Sequence, residues 1–112
     1  MTDMSAMFEY CTTKGVNLST INTSNVTDMS CMFYEFGTPD TVLNLTRFNT
    51  SNVKYFYYMF AEYKGKQSLD LSMFDTRQGK DFYGMFLITN PKNMKKYNPL
   101  TYKYIDKIVR CL

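Results

Sequence analysis

Asn22-Thr23-Ser24-Asn25-Val26-Thr27-Asp28-Met29-Ser30-Cys31-Met32-Phe33 is the stretch on which the reading turns, because pieces of it recur along the whole chain. The dipeptide Met-Phe stands at Met7-Phe8, Met32-Phe33, Met59-Phe60 and Met85-Phe86, with steps of 25, 27 and 26 residues. Self-similarity at such a period is the mark of a repeat architecture, in which each unit buries its apolar face against its neighbours. The units read as 2–26, 27–53, 54–79 and a partial 80–90. Together they make a repeat domain over 1–90, followed by a basic cap over 91–112.

Each unit carries three signals. Val16-Asn17-Leu18, Leu43-Asn44-Leu45 and Leu69-Asp70-Leu71 alternate apolar, polar, apolar, the period of a short strand with one buried face. Stacked at one strand per unit, they predict a parallel sheet with Val16, Leu43 and Leu69 in one inward row and Leu18, Leu45 and Leu71 in the other. A turn follows at Ile21 to Asn25, Phe48 to Asn52 and Phe74 to Gln78, where Asn, Asp, Ser and Thr satisfy a bent backbone with their own side chains. The third signal is Val26, Met29, Met32 and Phe33, matched by Val53, Phe56, Met59 and Phe60 and by Phe82, Met85 and Phe86. Spacings of three and four predict a short helical or 3₁₀ turn, with Asp28 and Ser30 at its start. Phe8, Phe33, Phe60 and Phe86 then form an aromatic spine through the core.

Beyond Asn90-Pro91 the repeat stops. Leu100, Tyr104, Ile105, Ile108, Val109 and Leu112 fall at helical spacing with Lys103, Lys107 and Arg110 between them, which predicts an amphipathic helix covering the last unit. The expected fold is therefore a repeat solenoid of leucine-rich-repeat-like, right-handed form. It has one short parallel strand plus a short helical or 3₁₀ turn per unit of about 26 residues, and a C-terminal amphipathic capping helix.

With these residues in view, the chain resembles the BspA-type leucine-rich-repeat surface proteins, in the variant whose units read L-x-x-L-D-L-S-x-F-D-T-S-N-V-T-D-M-S-x-M-F-x-x-C. The match lies in Leu43 to Val53, Leu69 to Thr76 and Val26 to Phe33. The third unit departs from it, reading Arg77-Gln78-Gly79 where Ser-Asn-Val is expected, and the cysteine of the pattern is kept only at Cys11. The resemblance implies a solenoid used for binding, as in bacterial and mycoplasma surface adhesins, and carries no catalytic residues. It implies a cell-surface or secreted location, although the opening residues do not read as a signal peptide. Similar arrays in large-virus proteins make a virion component the other expectation.

Charge is uneven. Residues 1–53 carry Lys14 and Arg47 against Asp3, Glu9, Asp28, Glu35 and Asp40, and the remainder carries 11 Lys and Arg against 5 Asp and Glu. The two parts are thus at −3 and +6, which sum to the chain's +3. No apolar run is long enough to span a membrane. With no His, no G-x-S-x-G and no phosphate-cradling glycine loop, the chain is not expected to be an enzyme, and neither a cofactor nor a metal is expected. The cysteines number three, at Cys11, Cys31 and Cys111, with no metal-ligand spacing. Cys11 shares the register of Phe36 and Tyr63 and is expected to be buried. Cys31 shares that of Ala6, Tyr58 and Gly84 and is the expected exposed thiol.

The expected function is protein–protein or surface interaction by an adhesin-like binding module. The alternative is a structural or assembly protein that packs through its open N-terminal end, where Met4, Met7 and Phe8 lie. Candidate partner-binding residues are Asn17, Asn44 and Asp70 with Ser19, Thr46 and Ser72 on the outer face of the expected sheet. Tyr55, Tyr57 and Tyr58 join them, replacing small polar residues of the second unit. Three short strands make a patch of roughly 240 Å², well short of the ~800 Å² per partner of a stable interface. The tyrosines are therefore expected to contribute. Lysines alternating with Tyr97, Tyr102 and Tyr104 would suit single-stranded nucleic acid, but a protein partner or a second copy is the expected one.

Overall fold

Backbone hydrogen bonds around each Met-Phe pair define the architecture. In a computed structural model that describes residues 2–66 and 69–87 and the backbone of 94–97, alternate peptides of one repeat donate to the next. Met29, Cys31, Phe33 and Glu35 donate to the carbonyls of Tyr55, Tyr57, Met59 and Ala61 at 3.0, 2.9, 2.9 and 2.9 Å. Met4, Ala6, Phe8 and Tyr10 do the same to the second repeat, and Phe56, Tyr58, Phe60 and Glu62 to the fourth. Parallel bridges Asp3 to Asp28, Asp28 to Tyr55 and Tyr55 to Asp81 mark where the repeats meet.

The intervening peptides close tight turns. Met7 donates to Met4, Met32 to Met29, Met59 to Phe56 and Met85 to Phe82 at 3.1 to 3.3 Å. The third residue of each turn is left-handed: Ala6, Cys31, Tyr58 and Gly84 have φ of 56°, 57°, 55° and 62°. That is the position where a type II turn requires φ > 0. A second left-handed residue follows at Tyr10, Glu35 and Glu62, with φ of 64°, 49° and 54°. A non-glycine residue in this region costs about 1–2 kcal/mol, and it is held there by the bonds to the next repeat.

These bonds overturn the leucine-rich-repeat-like solenoid. The helical or 3₁₀ turn expected at Val26 to Phe33 and its counterparts is absent, and the described residues contain no helix. A helix needs each N–H to return along its own segment; here every second N–H leaves for another repeat and a left-handed residue interrupts the rest. The strand expected in each unit is absent at Val16 to Leu18 and Leu43 to Leu45. Among the described residues, no backbone hydrogen bond joins 16–18 to 43–45, and each runs into a turn in which Ile21 donates to Leu18 and Phe48 to Leu45. Only β1, Leu69–Leu71, forms, and it pairs in parallel with β2, Met94–Tyr97, with an irregularity between Leu69 and Asp70. The molecule measures 32 × 32 × 20 Å with a radius of gyration of 12.5 Å. A compact domain of this length is expected near 13 Å, so the shape is that of a globule. The helix expected over Leu100 to Leu112 and Cys111 lie outside the described residues.

Burial follows the sequence pattern even where the backbone does not. Leu43, Leu69, Leu18, Leu45 and Leu71 are buried and Val16 is half-buried. Phe8, Phe33, Phe60 and Phe86 stack with centroids 5.6 Å apart at each step and interplanar angles of 16°, 3° and 4°. Such near-parallel, offset rings are a favoured arrangement. Buried threonines knit the far side: the Thr23 hydroxyl donates to the Asn49 carbonyl at 2.9 Å and accepts the Asn49 N–H at 2.8 Å, and Thr50 does the same with Asp75. Cys11 is half-buried and packs against the core.

Candidate partner-binding surface

The polar face forms from local turns. Asn17 Oδ1 accepts both the N–H and the hydroxyl of Ser19 at 3.0 and 2.7 Å, and Asn44 accepts the same pair from Thr46. Asp70 accepts the Ser72 N–H at 3.0 Å. A side-chain oxygen bonded two residues ahead is an Asx turn, so these residues first serve the backbone. Asn17, Ser19, Asn44 and Thr46 line one open groove of about 280 Å³ together with Arg47. Asp70 and Ser72 lie outside it and are half-buried.

Aromatic side chains gather on a different surface. Tyr10, Tyr34, Tyr58 and Tyr83 form a column whose successive centroids are 5.6, 6.1 and 5.6 Å apart, each ring turned 81°, 81° and 87° from the one before. Tyr57 meets Tyr58 edge-on at 6.0 Å. Tyr10 and Tyr83 are exposed by 60% and 63%, so the column ends in solvent at both sides. Tyr55 stands apart, at the bridge between Asp28 and Asp81. Of the three tyrosines singled out in the sequence, Tyr58 and Tyr57 thus belong to the column and Tyr55 does not.

Tyr10, Tyr34 and Tyr83 were not among the predicted binding residues. Their signal is the tyrosine step of 24, 24 and 25 residues, shorter than the Met-Phe step, so they occupy a different register in each repeat. A comparison confined to matching registers passes over them.

A groove of about 340 Å³ opens beside the column, lined by Glu9, Tyr10, Cys31, Tyr34, Tyr58 and Leu87. Its chemistry is acidic. A hydrogen bond to Glu62, then burial and the charges of Glu62 and Glu35, push the Tyr34 phenol up to about 12. Burial and the nearby Glu9 and Glu35 raise Tyr10, and burial with the Tyr83 phenol raises Tyr58. The Cys31 thiol is half-buried, and burial followed by the charges of Glu9 and Asp28 pushes it up. A thiol so placed is held protonated and unreactive. Among the described residues, no group of three or more His, Cys, Asp or Glu is placed to hold a metal, and no helix is long and apolar enough to cross a membrane.

Residues 2–104, which take in every repeat and the whole tyrosine column, match the profile of the family described as "Mycoplasma protein of unknown function, DUF285". The chain belongs to this family. The DUF285 description gives no activity, so the functional reading rests on the residues of the two grooves and the column. No curated protein and no solved structure matches the chain.

Proposed function

We propose that this DUF285 chain is a non-enzymatic binding module that engages a protein partner or a surface in the manner of an adhesin, through the tyrosine column. The observation that carries the reading is the run of Tyr10, Tyr34, Tyr58 and Tyr83 with Tyr57 beside it, solvent-facing and spanning all four repeats. Tyrosine combines a large apolar ring with a polar tip and few rotatable bonds, which is why it recurs at the energetic centres of interfaces. The resemblance of the repeat to BspA-type surface proteins supports the same reading. The raised thiol of Cys31 argues against a nucleophile in the groove beside the column.

Binding of labelled protein to intact cells and to immobilised extracellular proteins tests this. Saturable binding is expected, weakened at least tenfold in Tyr10→Asn/Tyr58→Asn, since asparagine tolerates the left-handed backbone these positions need. Equal binding by the variant would sink the column as the contact surface.

A second reading, assembly through the N-terminal edge, is favoured by one observation. Around the Met-Phe turns each repeat donates to the one that follows, and among the described residues the carbonyls of Asp3, Ser5, Met7 and Glu9 accept no bond from another repeat, while Met7 is 39% exposed. An unpaired edge is a template for pairing. Light scattering coupled to size exclusion, across concentration and with and without reductant, tests it. A monomer at every concentration would remove this reading.

A further inference from the structure

We propose that the groove beside the tyrosine column is a subsite for an organic cation, the ammonium or guanidinium head of a Lys or Arg side chain in a partner polypeptide. The inference rests on the binding-module reading and names the chemistry of the partner.

Three observations converge on it. First, the walls are aromatic and set at right angles. Tyr10 and Tyr34 differ in plane by 81°, and so do Tyr34 and Tyr58. All three rings line the groove, so a cation seated there meets aromatic surface, which attracts it by cation–π interaction. Second, the groove carries carboxylate charge. Glu9 lines it, and the charges of Glu9 and Glu35 reach the Tyr10 phenol and those of Glu62 and Glu35 the Tyr34 phenol. Third, that charge is uncompensated. Among the described residues Glu9, Glu35 and Glu62 form no ion pair, the recorded pair being Arg77 with Asp75 at 2.6 Å, and no Lys or Arg lines the groove.

The carboxylate charge acts on three groups of the groove. Burial first, then that charge, raises the Tyr10 phenol and the Cys31 thiol, and Glu62 with burial raises the Tyr34 phenol, so all three resist acquiring a further negative charge. An anionic ligand meets the same resistance, and a neutral one gains nothing from it. A cation gains from the carboxylates and the ring faces at once, while Leu87 offers an apolar contact for the methylene stem of a lysine or arginine. The volume, about 340 Å³, is at the small end of the range of ligand sites. It suits one side-chain head at a time, so a polypeptide gains strength by offering several.

The test uses the full chain titrated with hexalysine and with its fully Nε-acetylated counterpart. The chain has ten Tyr and no Trp, so binding is followed by intrinsic tyrosine fluorescence, and the part of the change lost in Tyr10→Leu is the part that reports the column. Hexalysine is expected to bind, more weakly as ionic strength rises and the screening length falls to about 10 Å at 0.1 M; the acetylated peptide is expected not to bind. Glu9→Gln/Glu35→Gln/Glu62→Gln is expected to lose about tenfold or more in affinity, and Glu9→Gln alone about two- to fivefold. Tyr10→Leu is expected to lose about two- to fivefold with the salt dependence unchanged.

Binding of the acetylated peptide as tightly as hexalysine would overturn the cation site. So would unchanged hexalysine binding in Glu9→Gln and the triple variant. A cell or protein partner lost in Tyr10→Asn/Tyr58→Asn yet retained in the glutamine variants would overturn the cation site alone and leave the binding module standing.

Discussion

Two aromatic columns run across the four repeats, and they are built on opposite principles. The phenylalanine column, Phe8 to Phe86, keeps the same register in every unit, stacks nearly parallel and, from Phe33 to Phe86, is fully buried. The tyrosine column, Tyr10 to Tyr83, changes register at every step, meets edge to face and stays in contact with solvent. Identical positions in stacked repeats impose identical ring orientations, which gives parallel stacking. Tyrosines at shifting positions approach from different backbone directions, which gives perpendicular rings. The first geometry fills a core and the second leaves ring faces open. Stability is therefore expected to reside in the first column and recognition in the second.

Substitutions that separate the columns have the largest expected effect. Phe60→Ala removes a fully buried ring touching Phe33, Phe74 and Phe86, and is expected to cost about 3–5 kcal/mol by chemical denaturation. Tyr83→Ser, at the exposed end of the other column, is expected to stay within about 0.5 kcal/mol of the parent. Comparable losses would break the division of labour.

Next in size is Thr50→Val. The buried Thr50 hydroxyl both donates to the Asp75 carbonyl and accepts its N–H, at 3.1 and 2.7 Å. Leaving those backbone groups unpaired is expected to cost about 1–3 kcal/mol, read as a lower denaturation midpoint. This tests whether the core column needs the threonine stitching between repeats.

The left-handed register yields a pair of opposite sign. Gly84→Ala places a methyl group 2.6 Å from Tyr58 Cε1 at φ 62°, and is expected to lower stability by about 1–3 kcal/mol. Cys31→Gly, at φ 57°, relieves strain against added unfolded-state freedom and is expected to raise stability by up to about 1 kcal/mol. Thermal melts of the two variants read the difference.

The smallest effect is in pH. Tyr34 and Tyr63 are each pushed up to about 12, Tyr34 first by its bond to Glu62 and Tyr63 by burial. A phenol raised above its unfolded value of about 10 favours the folded state fully below that pH, and the contribution is lost as pH rises through the folded value. A loss of stability between about pH 10 and 12 is expected, shallower in Tyr34→Phe and Tyr63→Phe. Tyrosinate absorbance followed through the same range is expected to show both phenols titrating late.

Much of the interior was legible in advance. The Phe8, Phe33, Phe60 and Phe86 spine stacks as read from the Met-Phe step, and the two apolar rows through Leu18 and Leu43 are buried or half-buried. The backbone was not. Spacings of three and four at Val26, Met29, Met32 and Phe33 fit a helical face, but a succession of type II turns buries the same residues. Hydrophobic period alone does not separate the two. A further signal was present: Ala, Cys, Tyr and Gly share one register at Ala6, Cys31, Tyr58 and Gly84, and tolerance of glycine there marked a left-handed position. At the surface, Asn17, Ser19, Asn44 and Thr46 line one groove, and Asp70 and Ser72 are not among its lining residues.

By itself the sequence determined the repeat, its register and the identity of the core, because residues at one register of a stacked unit must share one environment. Only the tertiary structure decided that the chain closes into a compact globule with its peptides alternately bonded to the next repeat and to their own turn. It alone also brought Tyr10, Tyr34 and Tyr58 together with Glu9, Glu35 and Glu62. Those contacts join different registers of different repeats, and their distances are set by how the turns fold onto one another, which no local pattern of residues records.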